Sequence, residues 1–278
     1  MLFFHNRGVA LACLAALGCN GHEFVLSEVN DTQVAGEQDD DSPIYGEVSE
    51  PGMPAEGCYL LSGEPYGPVR LSRITDTGLK TELKIDNFEI HTVHGLTWFD
   101  DVWYACNNHV IRIDPETSTA SETNIPCHAI GRWGGDLALT TPSGTALAYA
   151  SEEDLFDDNP SAEFEIGMQT ISRGAIIGYE LYGAWHSTDT VEVQNLHTGA
   201  QRTVSLQGFN TWVWGVGIEH GLLVVLDDGR ADNSHAVSKW SFNTFTGHQL
   251  DRVPVSDADD WGTELRTGLW CSPGPADL

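Results

Sequence analysis

Positive charge is scarce in this 278-residue chain: 13 Lys and Arg stand against 41 Asp and Glu, a formal net charge of −28. Residues 22–56 hold ten acids and no Lys or Arg, and residues 57–278 hold 31 acids against 12 bases. Such a surface repels phosphate backbones, which argues against nucleic acid as a partner. It leaves cationic partners, divalent cations or plain solvation as the meaning of the charge. Long apolar runs are missing too: Gly8–Leu17 is ten residues, too short to span a bilayer. No stretch carries a convincing 3.6-residue period, so helix is expected to be minor. There is no C-x-x-C, which argues against a zinc ribbon or a thioredoxin-like site. There is no H-E-x-x-H, no G-x-S-x-G and no P-loop. Gly215-Val216-Gly217 begins a G-x-G, but on a predicted strand with no helix after it, so a dinucleotide site is excluded.

What is present begins with an address. Arg7 is the only Lys, Arg, Asp or Glu in the first 18 residues, and the apolar run after it has the length of a signal-peptide core. It ends Ala16-Leu17-Gly18-Cys19, which resembles the lipobox of bacterial lipoproteins, with Ala16 where Leu is usual. The resemblance implies a signal peptide over 1–18 and a lipid on Cys19. Asn20 in place of Asp implies the outer membrane. An ordinary secretory signal is the alternative. Residues 19–57 then read as an acidic, disordered tether, too poor in large apolar residues to offset its ordering entropy. Like charges extend it.

From residue 58 a dipeptide keeps returning. Thr77-Gly78, Thr117-Ser118, Thr198-Gly199 and Thr246-Gly247 each close a short alternating run, at steps of 40, 81 and 48 residues. The step of 81 reads as two steps of similar size. Predicted inner turns near residues 100, 135, 178 and 221 repeat the interval. A period near forty built of strands and turns marks a propeller blade. The motif Ile113-Asp-x-x-Thr-Ser118 and its degenerate copies resemble the propeller superfamily of quinoprotein-like and NHL or YVTN-type repeats. The expected fold is therefore all-β: a five-bladed β-propeller over 58–278, closed by pairing of the N- and C-terminal strands. Each blade has about 43 residues, within the roughly 40–45 of such units.

The phasing also pairs the cysteines. Cys58 opens a second strand that lacks a first, and Cys271 closes a first strand that lacks a second. The two should therefore be neighbours. Cys106, after a second strand, and Cys127, in the next crossover, should meet on one face. Disulfides are the default for an exported chain.

The mouth of the channel, where crossovers and the loops after second strands collect, is the expected ligand site. It gathers His94, His128 and Asp260 as candidate acid–base groups. Asp227, Asp228 and Asp232 lie in a loop that could coordinate Ca²⁺, though without EF-hand spacing. A cofactor is otherwise not expected. Trp185, Trp212 and Trp261 are candidate ligand contacts, while the other six tryptophans fall on predicted strands as packing groups. The expectation is a non-enzymatic binding or scaffolding lipoprotein of the cell envelope, its partner a membrane through the anchor and an envelope protein or glycan. The alternative is a propeller lyase or glycoside-active enzyme at the mouth.

Overall fold

The recurring Thr-Gly and Thr-Ser pairs are hairpin turns, and their chemistry is local. Asp114 accepts the N–H groups of Glu116 and Thr117 on one carboxylate oxygen, at 2.9 and 3.1 Å. Asn243 does the same for Phe245 and Thr246, and Asn195 for Thr198. Four residues on, the chain must turn left-handed: φ is 55° at Ser118, 72° at Gly199 and 65° at Gly247. Glycine adopts that conformation without a Cβ clash, and the Asx side chain substitutes for a backbone turn. In three of its four members the repeat in the sequence is the repeat of this turn; Thr77-Gly78 has Ile74 in the Asx position and closes a tight hairpin with Thr75 opposite Gly78.

A computed structural model describes residues 54–63, 68–89, 92–168, 173–185, 188–227, 237–256 and 268–272. Cys19 and the segment around it lie outside the described residues. The domain is all-β and propeller-like. The first strands are β1 (Cys58–Gly63), β2 (Val69–Thr75) and β3 (Gly78–Ile85). Then come β4 (Gly95–Phe99), β5 (Val102–Asn107), β6 (His109–Asp114) and β7 (Thr119–Pro126). Next are β8 (Ala129–Trp133), β9 (Asp136–Thr140), β10 (Thr145–Tyr149), helix α1 (Glu152–Phe156) and β11 (Ala162–Glu165). They are followed by β12 (Arg173–Ile177), β13 (Glu180–Ala184), β14 (Thr190–Asn195) and β15 (Gln201–Ser205). The series ends with β16 (Val213–Glu219), β17 (Leu222–Asp227), β18 (Val237–Asn243), β19 (Gln249–Ser256) and β20 (Gly268–Cys271).

Three sheets have four strands, in the orders β20-β1-β2-β3, β4-β5-β6-β7 and β16-β17-β18-β19. The fourth has eight: β8–β11 and β12–β15 are antiparallel runs that meet along a parallel β8–β12 pair. The last strand of the chain pairs antiparallel with the first, Cys58 opposite Cys271 and Leu60 opposite Leu269. Both expected disulfides form, Cys58–Cys271 and Cys106–Cys127.

Apolar cores lie between successive runs. Leu61, Leu71, Trp98 and Trp103 join the first to the second. Tyr104, Val110, Ile130 and Leu139 join the second to the third. Ala138, Ala148, Ile176 and Leu181 carry the series on, and Val191, Val204, Val216 and Trp240 extend it. The last core, with Leu60, Leu269, Val224 and Val255, returns to the chain ends. Trp103 is central to the first of these, its ring 5.1 Å from both Tyr59 and Trp270. Burying such rings removes large apolar areas from water and adds edge-to-face attraction.

Two expectations change. The step of 81 residues does contain a further run, but β10 and β11 are joined by α1 in place of an Asx turn. The acidic stretch 152–158 begins with that helix, where little helix was expected. Ser151 caps it by accepting the Asp154 N–H, and the acids sit in the first turn, where the helix dipole favours them. Glu152 is then held by Arg112 at 2.9 Å and the Tyr104 hydroxyl at 2.6 Å.

The strands that begin each run, β4, β8, β12, β16 and β20, pack side by side, β20 returning to β4. Each carries glycine. A Cβ on Gly95 would lie 2.8 Å from the Gly174 carbonyl oxygen, and one on Gly215 2.7 Å from Leu269 Cβ. At Gly131 it would strike the backbone of Ile176, and at Gly268 the backbone of Gly95. Any larger residue would push these strands apart, so glycine here brings backbone against backbone.

Candidate functional site

His94 and His128 stand immediately before β4 and β8, Arg173 is the first residue of β12, and Trp212 stands before β16. Because these strands lie side by side and β8 runs parallel to β12, their starts share one end of the sheets. The register Ala175↔Ile130, carried two residues back, sets Arg173 across from His128.

The backbone is fixed on both sides. His94 donates its N–H to the Cys106 carbonyl at 2.8 Å and accepts the Gly174 N–H at 3.1 Å. His128 donates to the Thr140 carbonyl, and Cys127, just before it, to the Asn108 carbonyl, each at 2.8 Å. The Cys106–Cys127 disulfide therefore ties together the segments that carry both histidines. The two imidazole centroids are 6.2 Å apart.

Arg173 is buried, and its Nη1 lies 3.1 Å from His94 Nδ1. A guanidinium only donates, so Nδ1 accepts and the proton of the neutral ring sits on Nε2. Burial pushes the Arg173 pKa down from the arginine value, yet a guanidinium keeps its charge. The Trp214 ring supports that charge, with the guanidinium carbon 5.5 Å from its centroid. Trp185 follows Ala184, the β13 partner of Arg173, and is 42% exposed; Trp212 is 39% exposed. By contrast Trp98 and Trp103 are only 7% and 3% exposed.

The other expected residues divide. Asp227 is fully buried; its carboxylate accepts the Ser238 N–H and the Trp240 indole N–H, both at 2.7 Å, with Arg252 at 3.9 Å. These contacts tie it into the β17–β18 pair. Asp228, Asp232, Asp260 and Trp261 lie outside the described residues. Among the described residues no three His, Cys, Asp or Glu side chains are grouped to hold a metal. His109, the first residue of β6, is exposed and pairs with Glu122 at 3.1 Å.

Sequence reasoning missed Arg173 and the role of Trp214. The signal was available: stacked by phase, the strand starts read His94-Gly-Leu, His128-Ala-Ile and Arg173-Gly-Ala, so Arg173 takes the histidine position of its run.

A separate cavity of about 470 Å³ lies between the β1–β3 and β4–β7 sheets. Tyr59, Leu71, Trp98 and Trp103 line it beside Arg73 and Glu82. The Tyr59 hydroxyl donates to the Ala55 carbonyl at 2.9 Å, so one wall is the chain arriving at β1.

No family model matches the chain, and no curated protein matches it. Among solved structures it is similar to Myxococcus xanthus glutaminyl cyclase, at 10% identity and a TM-score of 0.45, over 61% of this chain and 72% of that one. It is also similar to the computationally designed Ika8 protein, at 15% identity and a TM-score of 0.35, over 72% of this chain and 60% of that one.

Proposed function

We propose that the chain is an exported lipoprotein of the bacterial envelope whose five-bladed propeller binds a ligand at the mouth formed by His94, His128, Arg173 and Trp212. In this reading the eight-stranded sheet is two blades merged along β8 and β12, and the β20–β1 pair with its disulfide closes the ring. The lipobox-like Ala16–Cys19 and the two disulfides support export to an oxidising compartment. The observation that carries the binding role is the preorganised mouth: a buried guanidinium bonded to one imidazole, with both histidine segments joined by a disulfide. Such rigidity lowers the ordering cost of binding.

Hydrogen exchange on the full chain tests the site. Envelope glycan and sacculus fractions are expected to protect amides of residues 92–98, 127–131 and 211–216; protection confined to other segments refutes the mouth. Mass spectrometry of the mature N-terminus tests the anchor, with an acylated Cys19 expected and an unmodified start elsewhere refuting it.

A second reading, catalysis at the same mouth as a lyase or glycoside-active enzyme, draws on the 6.2 Å separation of the His94 and His128 rings. Two imidazoles at that spacing can act as acid and base on one substrate. Its test is the loss of turnover, with binding retained, in His128→Gln.

A further inference from the structure

We infer that the cavity between the β1–β3 and β4–β7 sheets is a second binding site, separate from the mouth, and that it takes a free aromatic amino acid: the ring among Leu71, Trp98 and Trp103, the carboxylate on Arg73 and the ammonium on Glu116.

Strand register builds the first wall. Tyr59 lies opposite Arg73 and Arg73 opposite Lys80, so one row of side chains crosses three strands. The next row on that face is Leu61, Leu71 and Leu83. A bulge between these rows lets Glu82 and Leu83, adjacent in sequence, both line the cavity. Trp98 and Trp103, paired across β4 and β5, form the other wall, and Pro115 and Glu116 join it from the β6–β7 turn. Asp114 fixes Glu116 there by accepting its N–H at 2.9 Å. The corresponding positions of the other two Asx turns hold Leu196-His197 and Thr244-Phe245, so of the three only this turn places an acid there.

Four charged side chains line the cavity, and they divide. Lys80 donates to both Glu82 oxygens, at 3.0 and 3.3 Å. Arg73 stands 3.4 Å from the same carboxylate through Nε, yet that Nε is buried and makes no hydrogen bond. A guanidinium carries five N–H donors, and among the described residues those of Arg73 find no hydrogen-bond acceptor. The Glu116 carboxylate likewise has no hydrogen bond or ion pair among the described residues. Burial pushes the Tyr59 pKa up and the Arg73 charge works against it, which marks the guanidinium as close to the aromatic lining.

These facts restrict the ligand. Tyr59, Leu71, Trp98 and Trp103 are buried, so the deep lining is apolar, while Glu116 is exposed. A purely apolar ligand would shield Arg73 and Glu116 from water and offer them no partner. A simple carboxylate would satisfy Arg73 and oppose Glu116, and a simple amine would do the reverse. A zwitterion satisfies both with charge-assisted bonds. It also has no net charge, so the −28 of the chain neither repels nor concentrates it. The volume of about 470 Å³ lies toward the small end of ligand pockets, roughly 300–1,000 Å³, which suits a single amino acid better than a polymer. An aromatic side chain matches a lining that already packs edge to face, Trp98 and Trp103 meeting at 66° with centroids 5.1 Å apart.

Calorimetry on the full chain tests this with L-phenylalanine and L-tryptophan as probes. The controls lack the ammonium (3-phenylpropionate, 3-indolepropionate), the carboxylate (phenethylamine, tryptamine) or the ring (L-alanine). At least one probe is expected to bind at least tenfold more tightly than its controls, the scale of one lost charge-assisted contact. Glu116→Gln should remove the preference over the propionate, and Arg73→Gln the preference over the amine. Glu116 is exposed, so its variant should fold. Where Arg73→Gln does not fold, Arg73→Lys, which keeps the charge but loses the fork, should weaken binding about tenfold. Hydrogen exchange with the amino acid bound should slow the amides of residues 114–118 and leave 127–131 unchanged. The inference is overturned if neither amino acid binds, if a control binds as well as its parent, if the preference survives either substitution, or if protection falls on 127–131 in place of 114–118. None of these results counts against the mouth reading, which envelope fractions test independently.

Discussion

The Cys58–Cys271 bond joins residues 213 positions apart and fastens the first strand to the last, whereas Cys106–Cys127 spans 21 positions and fastens two segments that are already close along the chain. The first bond lies in an apolar core with Leu60, Val224 and Leu269. The second lies against the carbonyl that holds His94 and the residue before His128. One bond joins the chain ends and the other joins the segments that carry His94 and His128. The same covalent chemistry thus serves two ends, and sequence separation is what tells them apart.

The largest test of this contrast is removal of each bond. In the chain-entropy model, Cys58→Ala with Cys271→Ala should cost about 5 kcal/mol and Cys106→Ala with Cys127→Ala about 3 kcal/mol, read by urea denaturation. Equal losses would break the comparison. The functional readout should reverse the order: the second pair should lose mouth protection in hydrogen exchange, while the first should keep it in the molecules that remain folded.

A comparable effect should come from the strands between the two bonds. Gly131→Ala places a methyl group against the Ile176 backbone and should cost roughly 3 kcal/mol as overpacking. Gly135→Ala, which meets nothing within 4 Å, should cost less than roughly 0.5 kcal/mol. Similar melting temperatures for the two would mean that the strands can part.

Asp227→Ala should cost roughly 2–3 kcal/mol, because it strands the buried Ser238 and Trp240 N–H groups. Thermal denaturation measures this, and the mouth should be unchanged. A loss below 0.5 kcal/mol, about the size of a surface change, would show that those donors find other partners.

The smallest effect concerns acid, to which neither disulfide responds. Glu180 is held below the usual carboxylate range chiefly by its hydrogen bonds to Arg202, one of them at 2.9 Å. A depressed folded pKa means that its contribution is complete above the ordinary value of 4.5 and is lost as pH falls through the folded pKa. The pair is partly exposed, so the loss should be about 1 kcal/mol or less. Glu180→Gln should flatten the acid limb of the stability curve by that amount, and an unchanged limb would assign acid sensitivity elsewhere.

Much of this architecture is legible in the residues. Alternation finds β5, β6, β9 and β17, and the D/N-x-x-T-[GS] turns set the interval because an Asx side chain and a left-handed residue act within five positions. The cysteine pairs follow from strand phase. Helix α1 was readable in principle from Ser151-Glu-Glu-Asp154, a capping pattern, but five residues are too few to show a period. The site was half legible. His94 and His128 are conspicuous residue types, whereas Arg173 gains meaning only when strand starts are stacked by phase. Asp227 reads as part of a polar turn, and nothing local reveals that Trp240, thirteen residues on, covers it.

The glycine contacts have a consequence for what these strands can accept. With Gly95, Gly131 and Gly268 drawing backbones together, no side chain fits between β4, β8, β12 and β20 at those levels.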